Sequence, residues 1–345
     1  MSGSSQIRPL LGLDPDSLRD IALEAGLPAF TGKQLARWLY VRRAAGIDEM
    51  TDISKAGREK LASSYVTGLV KPLGSQLSKD GTRKYLFPVA GDSTNAVEAV
   101  MIPDGDRKTV CVSSQAGCKM GCHFCMTGRQ GFHGNLTAAE ILSQLLAIDE
   151  APDITNVVFM GMGEPLDNWE EVKKAIDVIC APWGFAWSPK RVTLSTIGVL
   201  PKLRRFLDES KCHLAVSLHN PFHEERLEMM PSEKAWPLDD IIGLLKEYDF
   251  SGQRRVSFEY TLFSGWNDSP RHADALIRAL RGLECRVNLI RFHSIPDFPY
   301  CTDSPQKMEA FRERLEKGGI TATIRASRGE DIMAACGLLA GQIRK

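Results

Sequence analysis

Residues 118–125 read Cys-Lys-Met-Gly-Cys-His-Phe-Cys, three thiols at the spacing C-x3-C-x2-C. A compact loop this rich in cysteine holds an iron–sulfur cluster or zinc. A closed site of either kind takes four protein ligands, and the loop offers no fourth partner to Cys118, Cys122 and Cys125. Three thiolates on a four-iron cluster leave one iron open, where a small molecule can bind directly. The alternative is a zinc-binding or structural triplet completed by a distant fourth ligand.

The spacing resembles that of the radical S-adenosylmethionine (SAM) enzymes, which use such an open iron. A chain of 345 residues, 43% hydrophobic, can bury one large core and a small second one. Charge is balanced, with 43 basic and 43 acidic residues, but the first 90 residues carry 13 Lys and Arg against 9 Asp and Glu. That mild basic excess suits phosphate contact and equally suits solvated surface. Nine cysteines cannot all pair. The N-terminus lacks an apolar signal segment, and no run approaches the length of a membrane span. A reducing cytoplasm, where thiols stay free for metal, is the expected setting.

Residues 14–62 read as helical. Asp14-Pro-Asp-Ser17 is a helix start, and Gly26-Leu-Pro28 is a break. In Gln34–Arg43 the basic Arg37, Arg42 and Arg43 lie among Trp38 and Tyr40. This pattern suits RNA, through phosphate pairing and stacking, but an ordinary amphipathic helix with Trp38 in the core is the simpler reading. Residues 82–102 alternate like two strands about a turn at Gly91. Glu98 lies in the second, either on a solvent face or, if turned into a site, as a candidate general base.

From Thr109 short apolar strands alternate with helices. Strands are expected over 109–114, 154–160, 191–195, 213–218, 255–262, 286–292 and 321–325. Helices are expected over 137–149, 168–180, 199–209, 238–249, 270–281 and 304–317, the first opened by a capping box at Thr137 and Glu140. Such strands are parallel and covered by their helices, in a (β/α) barrel or a doubly wound sheet. A barrel places function at the C-terminal ends of its strands. The cysteine loop, Gly161-Met-Gly-Glu-Pro165, Ser195-Thr-Ile-Gly198 and Ser217-Leu-His-Asn220 all follow strands, and Asn288 lies inside one. Cys336 alone reads as a small buried hydrophobe.

Taken together, the segments 112–132, 161–168 (GMGEPLDN), Leu194-Ser-Thr196, Ser217-Leu-His219 and 328–337 resemble the RlmN/Cfr family of radical SAM RNA methyltransferases. The resemblance runs from about residue 80 to the end and is weaker over the N-terminal helices. It implies an α/β fold, a partial (β/α)6-type barrel with a small helical accessory domain. The accessory, RNA-contacting domain would span 1–80 and the methyltransferase domain 81–345, with its core over about 104–330 and a C-terminal segment carrying Cys336. Cys118, Cys122 and Cys125 would bind a [4Fe–4S] cluster. Gly163, Glu164, Ser195, Ser217, Leu218, His219 and Asn288 would hold SAM. Cys336 would be the methyl-accepting cysteine, Cys111 the second mechanistic thiol and Glu98 the base. Met126 stands just after the cluster motif, where other members can carry a smaller residue.

The implied reaction methylates carbon 2 of adenosine in 23S rRNA, at the peptidyl-transferase centre, and of the adenosine 3′ to the anticodon in some tRNAs. That carbon is not nucleophilic, so two SAM molecules serve each turnover, one to methylate Cys336 and one to generate a radical. The resulting methylene radical joins protein to RNA, and Cys111 then releases the product by forming a disulfide with Cys336. The implied partners are the two RNAs and an electron donor or thiol reductant, with no membrane, around a monomer. Basic residues Arg37, Arg42, Arg43, Arg83 and Lys84 are candidates for the RNA backbone. The nearest alternative is the Cfr-type activity at carbon 8 of the same ribosomal adenosine. A non-catalytic iron–sulfur protein or a zinc-binding RNA module would need neither a SAM pocket nor Cys336.

Overall fold

The computed structural model describes residues 7–252 and 254–341. The chain begins with a short strand, β1 (Arg8–Pro9), and the helix α1 (Pro15–Glu24), whose first turn is capped by the Asp14 carboxylate accepting from Ser17 N at 2.7 Å. The next helix, α2 (Thr31–Ala36), widens into a π turn over Arg37–Val41. Trp38 and Tyr40 are buried there while Arg37 and Arg42 are exposed, the Arg42 guanidinium lying 4.1 Å over the Trp38 ring. The simpler reading of this stretch therefore holds: its aromatics belong to the core, while Arg37 and Arg42 reach solvent. Helix α3 (Lys55–Ala62) follows, and β2 (Tyr65–Val66) pairs parallel with β1.

Four strands then run antiparallel: β3 (Gly74–Leu77), β4 (Arg83–Val89), β5 (Asp92–Asp104) and β6 (Arg107–Cys111). β3 falls within the first 80 residues yet pairs into the main sheet. After β6 comes the cysteine loop, closed by a short pair, β7 (Gln115–Gly117) and β8 (Phe132–Asn135), with the single turn α4 (Met126–Arg129) between them. Then strands and helices alternate. They are α5 (Ala138–Leu146), β9 (Asn156–Phe159), α6 (Trp169–Cys180), β10 (Val192–Thr196), α7 (Leu200–Glu209), β11 (His213–Ser217), α8 (His223–Met229), α9 (Leu238–Leu245), β12 (Val256–Leu262), α10 (Pro270–Ala279), β13 (Cys285–Arg291), α11 (Pro305–Lys317) and β14 (Thr321–Ile324).

All seven strands expected after Thr109 are present, as are the six helices; α8 was not anticipated. Thr137 and Glu140 form the expected capping box at α5. The sheet order is β14-β13-β12-β11-β10-β9-β6-β5-β4-β3, parallel from β6 to β14. Among the described residues both ends are open edges, so this is a partial barrel extended by an antiparallel flap. Strand period two sorts β12 between its two environments. Phe258 and Tyr260 are buried towards the helices, Tyr260 stacking on Phe311 of α11 at 5.3 Å, while Glu259 and Thr261 face the hollow of the sheet.

Candidate active site

A cavity of about 170 Å³ opens at the C-terminal ends of β9 to β13. Cys118, Cys122 and Cys125 line it together with Gly163, Glu164, Ser195, Ser217, His219 and Cys336. Burial pushes the Cys118 thiol up to about 12 and Cys122 well above its ordinary value. Thiols so buried give up their protons to a metal rather than to water. The three thiols line one cavity and act on one another electrostatically, and this all-cysteine donor set fits a [4Fe–4S] group.

The Gly161–Pro165 turn is held against the cysteine loop. Gly163 has φ +97°, and a Cβ built there would stand 2.5 Å from Gln115 Cβ and 2.8 Å from Gln115 N. Glu164 N donates to Gln115 Oε1 at 2.8 Å. The Glu164 carboxyl accepts from Leu166 N at 3.0 Å and Ile197 N at 2.9 Å, clipping the turn after β9 to the turn after β10. Burial pushes this carboxyl up to about 7, against the hydrogen bonds that lower it.

After β11, His219 adopts φ +56°, its Nδ1 accepting from Thr261 N at 3.0 Å and its carbonyl from Asn267 Nδ2 at 2.6 Å. Burial, and then the Arg226 charge, push its pKa down to about 3, so the imidazole is neutral. Arg226 itself is buried; it donates to Leu218 O at 2.9 Å and Ser217 O at 3.0 Å and pairs with Glu233. This guanidinium fixes the backbone of Ser217-Leu-His219 from behind.

Cys336 reaches the cavity on a C-terminal strap. Asp331 accepts from Ser78 Oγ and from Lys79 N at 3.2 Å, and Asp80 accepts from Gly329 N at 2.9 Å. Beyond the cysteine, Gly337 O accepts from Met126 N at 2.9 Å and Leu339 O from Thr127 Oγ1 at 2.7 Å. The surface that Cys336 exposes faces the cavity. Cys111, buried at the end of β6, is pushed up to about 12 by burial and next by Cys336, so the two thiols are electrostatic neighbours. Arg325 acts on both.

The remaining expected residues stand back from the cavity wall. Leu218 is buried, its N donating to Glu259 O at 3.0 Å. Asn288 Nδ2 donates to Glu259 Oε1 at 2.7 Å. Glu98 is buried, paired with Lys84 at 3.0 Å and accepting from Ala340 N at 2.9 Å. Arg83 pairs with Asp149 at 2.6 Å, so it and Lys84 are already engaged within the protein. Glu259, Arg325, Phe124 and Ile197 also line the cavity and were not anticipated. Glu259 alternates with Phe258 and Tyr260 inside β12, and its sequence pattern alone does not separate it from other polar strand residues. Of the cysteines outside the site, Cys301 is exposed and Cys212 is buried.

The comparisons agree with this geometry. Residues 112–276 match the Radical SAM superfamily and residues 9–66 the Ribosomal RNA large subunit methyltransferase N-terminal domain. A protein of Porphyromonas gingivalis W83, described as "Probable dual-specificity RNA methyltransferase RlmN", is 58% identical over 96% of both chains. The "Dual-specificity RNA methyltransferase RlmN" of Syntrophus aciditrophicus is 41% identical over 94% of this chain and 97% of its own. The crystal structure of a radical SAM methyltransferase from Sphaerobacter thermophilus superposes with a TM-score of 0.91 at 36% identity, covering 97% of this chain and all of that one. Among the described residues no helix is long and apolar enough to cross a membrane. An open barrel with three thiols and a strap-borne cysteine at its mouth, matched at this identity over nearly its whole length, makes the chain a member of the RlmN family of radical SAM methyltransferases, which use a [4Fe–4S] cluster and SAM.

Proposed function

We propose that the protein methylates carbon 2 of adenosine in 23S rRNA and in some tRNAs, in the cytoplasm, as a monomer served by an electron donor and a thiol reductant. The observation that carries this reading is Cys336, held by a strap in the same cavity as the three cluster thiols and beside Cys111. The cluster and SAM, when bound, supply the methyl group and the one-electron chemistry that an unreactive adenine carbon requires. Cys118, Cys122 and Cys125 hold the cluster; Gly163, Glu164, Ser195, Ser217, His219 and Asn288 surround SAM, with Leu218 fixing the backbone between them. Cys336 accepts the methyl group on sulfur and carries it to the base. Product would leave when the Cys111 thiolate attacks the Cys336 sulfur: an S–S bond forms, the sulfur–carbon bond breaks with its pair on carbon, and that carbon takes a proton to become the methyl group, leaving a disulfide that a thiol reductant must open.

Glu98 is the proposed base for the proton on the adenine carbon. To serve, its carboxylate must exchange the Lys84 and Ala340 contacts for the substrate, which loosens the far end of the strap. Residues 1–80 form the proposed RNA-facing accessory domain, with residues 81–345 as the catalytic one. Exposed Arg37 and Arg42, with Arg43, are its best candidates for phosphate contact. Reversing their charge is expected to weaken RNA binding and flatten its salt dependence; unchanged affinity and slope would remove them from the interface. The reading is tested with methyl-labelled SAM, reductant and protein-free 23S RNA or tRNA under anaerobic conditions, followed by nucleoside analysis. Label in 2-methyladenosine from both RNAs is the expected result, and label in 8-methyladenosine would reassign the regiochemistry.

A further inference from the structure

Strand register sets Ser217, Glu259, Asn288 and Thr323 side by side across β11, β12, β13 and β14. Three of them are linked: Thr323 Oγ1 donates to Asn288 Oδ1 at 2.8 Å, and Asn288 Nδ2 donates to Glu259 Oε1 at 2.7 Å. Ser257 Oγ donates to the same Oε1 at 3.1 Å. The other oxygen differs. Glu259 is 4% exposed and lines the cavity, yet among the described residues its Oε2 has no hydrogen-bond partner. The Arg325 guanidinium is 3.5 Å away, close enough to balance the charge and too far to complete the hydrogen bonding. A buried acceptor left unmet is costly, and a native site keeps one where a ligand completes it.

We infer that Glu259 is a further SAM-binding residue whose free oxygen accepts from the hydroxyls of the SAM ribose. This rests on the cofactor reading of the cavity. Four parts of SAM could face the oxygen, and three fit poorly. The sulfonium has no proton to donate. The ammonium would place a second cation against Arg325. The adenine amine lies at the far end of SAM from the reacting sulfur, whereas Glu259 adjoins Arg325, which acts on the Cys336 thiol. The ribose hydroxyls are neutral donors next to the sulfonium. They leave the Arg325 pair intact and satisfy the free oxygen, between Ser217 and Asn288 in the same row.

The test is equilibrium binding to the anaerobically reconstituted full-length protein and its Glu259→Gln and Glu259→Met variants. The probes are SAM, S-adenosylhomocysteine, and the 2′- and 3′-deoxy forms of the latter. Cluster absorbance and thermal midpoint report folding. Both substitutions are expected to weaken SAM and S-adenosylhomocysteine alike, by roughly ten- to a hundred-fold for a lost hydrogen bond to a charged acceptor. At least one deoxy ligand should bind wild type and variants within about three-fold, because its contact is already missing. Should Glu259→Met not fold, Glu259→Gln, which keeps the Asn288 bond, decides. Wild-type affinity in Glu259→Gln would overturn the inference. So would a loss confined to SAM, which would make Glu259 the partner of the sulfonium charge, or an equal loss for both deoxy ligands. Wild-type protein that binds no SAM would overturn the cofactor reading itself, and this inference with it.

Discussion

Replacing Gly163 by alanine strikes the proposed SAM cavity through the backbone alone. An L side chain in the left-handed region costs about 1–2 kcal/mol, and φ +97° at Gly163 lies beyond the centre of that region. The new Cβ would also meet Gln115 Cβ at 2.5 Å, Gln115 Cγ at 2.8 Å and Gln115 N at 2.8 Å. Gln115 has little room to yield. Its Oε1 accepts from Glu164 N at 2.8 Å, and its Nε2 donates to Asn135 Oδ1 at 2.8 Å and to an Asp167 carboxylate oxygen at 2.7 Å. Strain and overpacking together come to about 3 kcal/mol. If the turn keeps its shape, that sum appears as lost stability. If the turn relaxes, it moves out of the ligand-binding geometry, and SAM affinity falls by up to about a hundred-fold. Calorimetric SAM binding and a thermal melt on the cluster-loaded protein read the two together. Gly134→Ala is the control, since nothing lies within 4 Å of a Cβ there. A Gly163→Ala protein that melts as wild type and binds SAM within about three-fold would refute the account of this turn.

Three further outcomes follow from the same geometry. Burial raises Glu164 from 4.5 to about 7, so the native state holds its proton more tightly than the unfolded chain. Its contribution to stability is full below about pH 4.5 and is lost as pH rises to about 7, about 3 kcal/mol in all; denaturant titrations of cluster-free protein should show this slope, and Glu164→Gln should flatten it. Among the described residues, replacing Arg226 by Met leaves the buried Glu233 carboxylate with only His223 and Leu238 N, and removes a side-chain donor from each of the Ser217 and Leu218 carbonyls. The expected loss is about 3 kcal/mol, towards the lower end for a broken buried pair because His223 stays; a urea midpoint unchanged from wild type would remove Arg226 from the scaffold. Removing both strap anchors, Asp80→Ala with Asp331→Ala, should lower kcat for methyl transfer about ten-fold or more while SAM affinity holds; equal loss of both would mean that the anchors support the cavity and not the strap.

Much of this architecture is legible in the sequence because β6 to β14 obey strong local rules. The parallel strands among them are short and mostly apolar, and helices connect them, some with clear start signals, as at Thr137 and Ser304. Placing the unusual residues after strands then located the cavity. What escaped has identifiable causes. Helix α8 has seven residues, too few for a clear apolar period, and it buries a charged residue, Arg226, beside Met229. Glu259 looked like any polar residue in an alternating strand; only the register with Ser217 and Asn288 sets it in the cavity wall. Glu98 could be read as surface or base, and its pairing with Lys84 depends on the β4–β5 register, which no local pattern shows. The proximity of Cys111 and Cys336 is tertiary: the strap brings the C-terminus back across β4 and β5 through Asp80, Asp331 and Glu98.

The central claim is that Cys336 carries the methyl group, and a pulse–chase tests it directly. Reconstituted protein is incubated with methyl-labelled SAM, stripped of free ligand, and chased with unlabelled SAM, reductant and 23S RNA. The account predicts label first on the peptide containing Cys336, then in 2-methyladenosine, with neither signal in Cys336→Ala. Labelled 2-methyladenosine formed by the Cys336→Ala protein, or label on Cys336 that never leaves it, would contradict the account.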